Sequence, residues 1–197
     1  IDTGINYTHP DLYLNIWLNQ KEIPSDLRVS IFDFDFDGLI TLRDLNNPTN
    51  VAFTRDLNSN GYIDAGDLLN DRRWANGTDD DRNGFRDDLI GWDFEQNDND
   101  PFGGTSTHGT GVSSIIGALG DNKIGIAGIN WNIQMMALRG MGAVPVDYFT
   151  NAAANALASE HFIATNNSYI KSEEGIEDAI IRAAQKNILF IAAAGNS

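Results

Sequence analysis

The apolar positions of this chain change rhythm twice. In the last hundred residues they follow an alternation of helices and strands. "THGTGVSSIIGAL" (107–119) predicts a helix after a glycine-rich start, and "GINWNIQMMALR" (128–139) contains a buried strand ending at Arg139. Residues 147–160 read as an alanine-rich helix and 161–168 as a strand. "EEGIEDAIIRAAQKN" (173–187) puts Ile176, Ala179, Ile180, Ala183 and Ala184 on one helical face. "ILFIAAAG" (188–195) is a continuous apolar run, the pattern of a parallel strand covered on both faces. Strand–helix–strand order predicts a mainly parallel sheet with right-handed crossovers. Residues 1–30 read as a strand end running into a turn-rich loop. Between these zones, in residues 31–100, the rhythm gives way to Asp, Asn and Gly.

That middle zone repeats itself. Asp33, Asp56 and Asp79 each open a similar twelve-residue loop, each 23 residues after the last: "DFDFDGLITLRD", "DLNSNGYIDAGD" and "DDDRNGFRDDLI". Calcium takes six to eight oxygen ligands, and an EF-hand-type loop offers them from positions 1, 3, 5, 7, 9 and 12, with glycine at 6. In the first loop these positions hold Asp33, Asp35, Asp37, Leu39 (by its carbonyl), Thr41 and Asp44. In the second they hold Asp56, Asn58, Asn60, Tyr62 (by its carbonyl), Asp64 and Asp67. Ile40 and Ile63, at the eighth positions, are placed to anchor each loop to packed structure. The third loop offers Asp79, Asp81, Asn83, Phe85 and Asp87 but has Ile90 at position 12, so Asp88 is expected to close it. Both of the first two loops resemble the calcium loops of EF-hands and dockerins. Asx-turns that use acids only to satisfy backbone donors would explain one such loop, and three at equal spacing less well.

Composition sharpens this picture. The 197 residues include 28 acids against 13 bases, a net charge of −15, and 42% apolar residues. The apolar fraction suits one globular domain. The negative field argues against a nucleic-acid partner, and no apolar run is long enough to span a membrane. Much of the acid lies between Asp33 and Asp100, which points to local cation sites. There is no cysteine, so disulfides and thiolate metal sites are excluded. The chain opens inside a strand end and closes just after a strand, so both ends are expected to cut through a fold.

A second pattern lies outside the acidic zone. "DTGINYTHPDL" (2–12), "HGTGVSSIIGA" (108–118) and "AAAGNS" (192–197) resemble, in order and spacing, three signature segments of the subtilisin-like serine peptidases, the subtilases (peptidase S8). "GIAGINWNIQMMALR" is similar to the family segment after the histidine helix, and "NNSYI" stands where the substrate-binding strand belongs. The resemblance covers residues 1–30 and 79–197. It implies a partial catalytic domain over 1–197, with an acidic calcium-loop insertion in 31–100. The implied fold is α/β and three-layered, with a mainly parallel sheet between helices, incomplete at both ends.

The resemblance also implies roles. Acyl transfer needs a serine hydroxyl, a histidine base and a carboxylate that fixes the imidazole tautomer. Asp2 would be that carboxylate, His108 the base and Asn196 the oxyanion donor, while His9 and His161 read as structural. Ser168, Tyr169 and Ile170 would line the cleft for an extended polypeptide substrate. The family's Gly-Thr-Ser nucleophile segment is expected beyond residue 197; "GGTS" at 103–106 precedes His108 and so stands in the wrong order. The sequence departs from the family at Gly111, where a second histidine is usual, and at Ile170, where glycine is usual and a larger side chain would either narrow the specificity pocket or obstruct the substrate backbone. A fourth calcium site would take Asp11, Leu119, Asn122, Ile124 and Ile126. Two to four calcium ions, secretion and an N-terminal prosegment are further expectations. Two alternatives stay open: a non-catalytic subtilase relative that binds peptides, and a calcium-dependent adhesion or docking module.

Overall fold

Asp2 sits in the middle of a parallel sheet. A computed structural model describes residues 1–140, 162–169 and 176–196. In it, β1 (Gly91–Asp93) pairs in parallel with β2 (Ala137–Arg139), and β3 (Ala164–Asn167) pairs in parallel with β4 (Leu189–Ala192). Residues 1 and 2 join the two ladders. The Asp2 nitrogen donates to the Leu138 carbonyl at 3.1 Å, and its carbonyl accepts from Gly140 at 3.0 Å. On the other side the Ile1 nitrogen donates to the Asn166 carbonyl at 2.9 Å. The order is therefore β1, β2, the Asp2 strand end, β3, β4. This arrangement is an α/β fold of the expected kind.

The expected helices over 107–119 and 173–187 are observed as His108–Gly117 and Ile176–Gln185. Ala179 and Ala183 are buried as the periodicity requires, while Ile180 stays partly exposed. The alanine-rich helix expected over 147–160 lies outside the described residues. β4 differs from expectation. Its apolar run predicts cover on both faces, yet Leu189 is 65% and Ile191 48% exposed. Among the described residues β4 pairs along one edge only, with β3, and a largely apolar cavity of about 800 Å³, walled by Val112, Ile116, Thr165 and Ile191, lies beside the pair. The described residues do not fill that space.

Residues 31–100 are not a separate lobe. Leu42, Leu45, Leu68 and Trp74 belong to the same buried cluster as Leu12, Ile16, Leu89 and Ala137. Ile40 is buried in that cluster and Ile63 packs against it, so the eighth loop positions anchor as the pattern predicts. Three side-chain amides clamp the loop backbone as an adjacent strand would. Gln20 bonds both the N–H and the carbonyl of Ile40 (2.8 and 2.8 Å). Asn46 does the same at Ile63 (2.8 and 2.7 Å), and Asn50 at Phe32 (2.9 and 2.8 Å). Each clamp satisfies a backbone donor and acceptor, and at the buried Ile40 both would otherwise be orphaned.

Candidate active site and acidic loops

Asp2 and His108, 106 positions apart in sequence, meet at the carboxyl end of the sheet. His108 Nδ1 lies 2.7 Å from Asp2 Oδ1. The Asp2 side chain is 9% exposed and that of His108 54% exposed, so a sheltered carboxylate orients a ring that solvent reaches. The same Oδ1 accepts the Thr3 N–H at 2.7 Å and the Thr3 hydroxyl at 3.2 Å. Asp2 Oδ2 is buried and has no partner among the described residues.

Close backbone approach makes this meeting possible. A Cβ on Gly109 would come within 2.2 Å of the Gly4 carbonyl and 3.0 Å of Asp2 Oδ1. Only glycine lets the first turn of the histidine helix come this near the carboxylate. Gly4 has φ +98°, and a Cβ there would meet Gly103 N at 2.6 Å. The chain can therefore leave the sheet sharply after Asp2. Gly111 faces open space, so the family's second histidine would have room there.

The other site candidates lie at the same edge. Ser168 follows β3 directly and accepts a bond from Asn166 Nδ2 at 2.8 Å. Tyr169 donates its hydroxyl to Asn167 Oδ1 at 3.1 Å. Asn196 is exposed just past β4. Ile170 lies outside the described residues. Parallel α/β sheets bind ligands at the carboxyl ends of their strands, which is where Asp2, Ser168 and Asn196 stand.

The three acidic loops share one backbone. Their fourth residues, Phe36, Ser59 and Arg82, have φ of 59°, 60° and 60°, and their glycines, Gly38, Gly61 and Gly84, have φ of 86°, 94° and 95°. In each, the glycine N–H donates to Oδ2 of the first aspartate: Asp33 at 2.8 Å, Asp56 at 2.9 Å and Asp79 at 2.9 Å. The twelfth positions close two loops through backbone donors. Asp44 accepts the N–H groups of Phe34 and Thr41, and Asp67 those of Leu57 and Asp64. Thr41 and Asp64 cap the short helices Leu42–Leu45 and Ala65–Asn70.

Not every expected ligand turns toward a common point. Carboxylate oxygens of Asp33, Asp35 and Asp37 lie within 4.8 Å of one another, and Asp33 Oδ1 is buried without a partner among the described residues. That donor set suits a hard, oxygen-seeking cation. In the second loop Asn58 and Asn60 both donate to Asp64 Oδ2, at 3.0 and 2.7 Å. In the third, Asp87 turns away and accepts from Gly77 N at 2.9 Å, while Ile90 is fully buried in the core. Asp81 and Asp88 instead gather with Glu22, a residue that sequence reasoning missed. Glu22 is 1% exposed and accepts the N–H groups of Asp80, Asp81 and Asp87. No local signal marks it, because it enters the third loop from 59 residues away.

Burial pushes the Glu22 carboxyl up to about 7 from an ordinary 4.5. Burial also pushes Asp88 up to about 8 from 3.8, reinforced by the charges of Asp81 and Glu22 and opposed by the Asn83 and Asn19 amides. The folded chain holds protons that the unfolded chain has released above the ordinary carboxylate range, so rising pH favours unfolding. In excess chelator, urea midpoints are expected to fall between about pH 5 and about pH 8. A midpoint that rises across that window would contradict the placement of these groups.

Comparison with known proteins fits this geometry. The profile of the subtilase family matches residues 1–197. The chain belongs to the subtilase family. It is 29% identical to subtilisin-like protease 1 of Plasmodium falciparum (isolate 3D7) over its whole length, and spans 22% of that relative. Against subtilisin-like protease 1 of Plasmodium vivax it is 30% identical over 72% of the chain, which covers 14% of the relative. Against that of Plasmodium berghei (strain Anka) the identity is 28% over 72% of the chain and 15% of the relative. Subtilase membership points to serine-peptidase chemistry.

The residues named for a fourth cation site lie near one another in this subtilase, linked by amide donors to Asp11 and Asn122. Asp11 is 1% exposed. Its Oδ1 accepts from Asn122 Nδ2 at 2.7 Å and its Oδ2 from Ile126 N at 3.1 Å, while its carbonyl accepts from Leu119 N at 2.8 Å. Ile124 N bonds Asn122 Oδ1 at 3.0 Å. His9 is used structurally, its Nδ1 accepting from Asp11 N at 3.1 Å; His161 lies outside the described residues.

Proposed function

We propose that these residues supply the carboxylate and the general base of a serine endopeptidase that hydrolyses peptide bonds. The observation that supports it most is the 2.7 Å approach of Asp2 Oδ1 to His108 Nδ1. A carboxylate on Nδ1 holds the tautomer whose lone pair is on Nε2, and it stabilises the imidazolium formed when Nε2 takes a proton. The exposure of His108 leaves Nε2 within reach of a hydroxyl. The attacking serine would come from outside residues 1–197, in the chain order Asp, His, Ser. The Asn196 amide would donate to the oxyanion of the tetrahedral intermediate. An extended polypeptide substrate would lie along Ser168, Tyr169 and Ile170 as an added strand.

In the same reading, calcium neutralises the carboxylates crowded in and against the loops of residues 31–100. Asp33, Asp35 and Asp37 would hold one ion, the second loop another, and Glu22, Asp81 and Asp88 a third. Asp11 and Asn122 would contribute to a fourth. Millimolar calcium outside cells suits a secreted enzyme, and an N-terminal prosegment would be its folding partner. The complete polypeptide is expected to cleave members of a peptide library, and His108→Ala is expected not to. Equal cleavage by both, or none by a folded wild type, would overturn the proposal.

A further inference from the structure

The stretch "GGTS" (103–106) has the composition of a nucleophile segment but stands before His108. The structure gives it different work. Residues 103–106 form a turn closed by Ser106 N donating to the Gly103 carbonyl at 2.9 Å, with Gly104 at φ +57°. The turn is pressed against the Asp2 segment. A Cβ on Gly4 would meet Gly103 N at 2.6 Å, and a Cβ on Gly103 would meet the Thr3 carbonyl at 3.1 Å. This glycine-to-glycine approach brings Ser106 Oγ to 2.8 Å from Thr3 Oγ1.

The direction of each bond around Thr3 is fixed by chemistry. The Gly109 N–H donates to Thr3 Oγ1 at 3.2 Å and cannot accept. The Asp2 carboxylate, 3.2 Å away on the other side, can only accept while ionised. The single Thr3 proton therefore goes to Asp2 Oδ1, and Ser106 must donate its own proton to Thr3. The chain of donors runs Ser106 to Thr3 to Asp2, ending on the oxygen that receives His108 Nδ1. Asp2 Oδ2 has no partner among the described residues, so the carboxylate's rotation is governed by the donors gathered on Oδ1.

We propose that Ser106 is a positioning residue for the Asp2–His108 pair, acting through the Thr3 hydroxyl. With Ser106 absent, the Thr3 hydroxyl keeps the 3.2 Å bond from the Gly109 N–H and loses the shorter of its two donors. Rotation away from Asp2 becomes open to it. The carboxylate then loses one of the donors that set the angle it presents to His108. Ser106 is not among the cleft residues Ser168, Tyr169 and Ile170, so the effect is expected on kcat more than on KM.

The inference rests on the peptidase reading, and two readouts separate their failures. In the complete polypeptide, Ser106→Ala is expected to lower kcat about tenfold with KM unchanged, and Ser106→Thr to restore it. In a Thr3→Val background, Ser106→Ala is expected to cost nothing further, because its route of action is already gone. An equal loss in both backgrounds, or no loss in the wild-type background, overturns the proposal while leaving the peptidase reading intact. The second readout needs no turnover: the proton resonance of His108 Nδ1–H in the complete polypeptide. It is expected to shift in Ser106→Ala and return in Ser106→Thr. A resonance indifferent to Ser106 overturns the proposal even if the protein proves to have no peptidase activity.

Discussion

Asp2→Asn is expected to lower kcat for peptide hydrolysis by about 10⁴ while KM changes little. The substitution keeps the shape of the side chain and most of its packing. What changes is the atom facing Nδ1. One oxygen, Oδ1, receives the Thr3 N–H, the Thr3 hydroxyl and His108 Nδ1, so an NH₂ in its place would donate to Nδ1 and favour the tautomer with a proton on Nε2. A proton on Nε2 cannot be a base for serine. Even where the tautomer is right, a neutral amide does not stabilise the imidazolium as a carboxylate does. Steady-state kinetics on the complete polypeptide reads this directly. A loss under about tenfold would mean that the 2.7 Å contact is structural and not catalytic.

Removal of calcium is expected to have the second-largest effect, and on stability. One site held at about 100 times its dissociation constant contributes about 2.7 kcal/mol. For a domain of this size that is roughly 5–10 °C in Tm, and more when several loops are filled. The loss has an identifiable cause. Without a cation, Asp33, Asp35 and Asp37 crowd oxygens within 4.8 Å of one another, and Glu22, Asp81 and Asp88 do the same under burial. Calorimetry in millimolar calcium and in excess chelator measures the difference. Melting within about 2 °C in the two conditions would remove calcium from the account. Replacing Glu22 by glutamine should shrink the calcium effect without abolishing it, since the first loop lies elsewhere.

What was legible in the sequence was local or periodic. The helix at His108 follows from its glycine-rich start, and the 23-residue repeat announces three loops whose fourth residues then share φ of 59–60° and whose glycines share φ of 86–95°. The Asp2–His108 pair was legible because both residues sit in short motifs with fixed neighbours. What was hidden depends on contacts made across long separations. Glu22 carries no motif, and only folding brings it onto the third loop. Gln20, Asn46 and Asn50 look like ordinary surface amides until their side chains meet backbone pairs 17 to 20 residues away. Spacing alone also assigned too many ligands to the loops. Asp87 fits the ninth position of a calcium loop, yet its left-handed backbone, φ 56°, accompanies a side chain turned to Gly77. The twelfth-position aspartates serve loop closure and helix capping at once, which a ligand template does not foresee. The apolar run of β4 showed what the strand needs, a cover on both faces, and not where that cover comes from.

The central claim is that Asp2 and His108 activate a serine. An active-site fluorophosphonate probe tests it on the complete polypeptide, compared among wild type, His108→Ala and Asp2→Asn under calcium. The account predicts labelling of one serine in the wild type, with His108→Ala and Asp2→Asn both folded and both unlabelled. A folded wild type that takes no label, or three proteins that label equally, would contradict it.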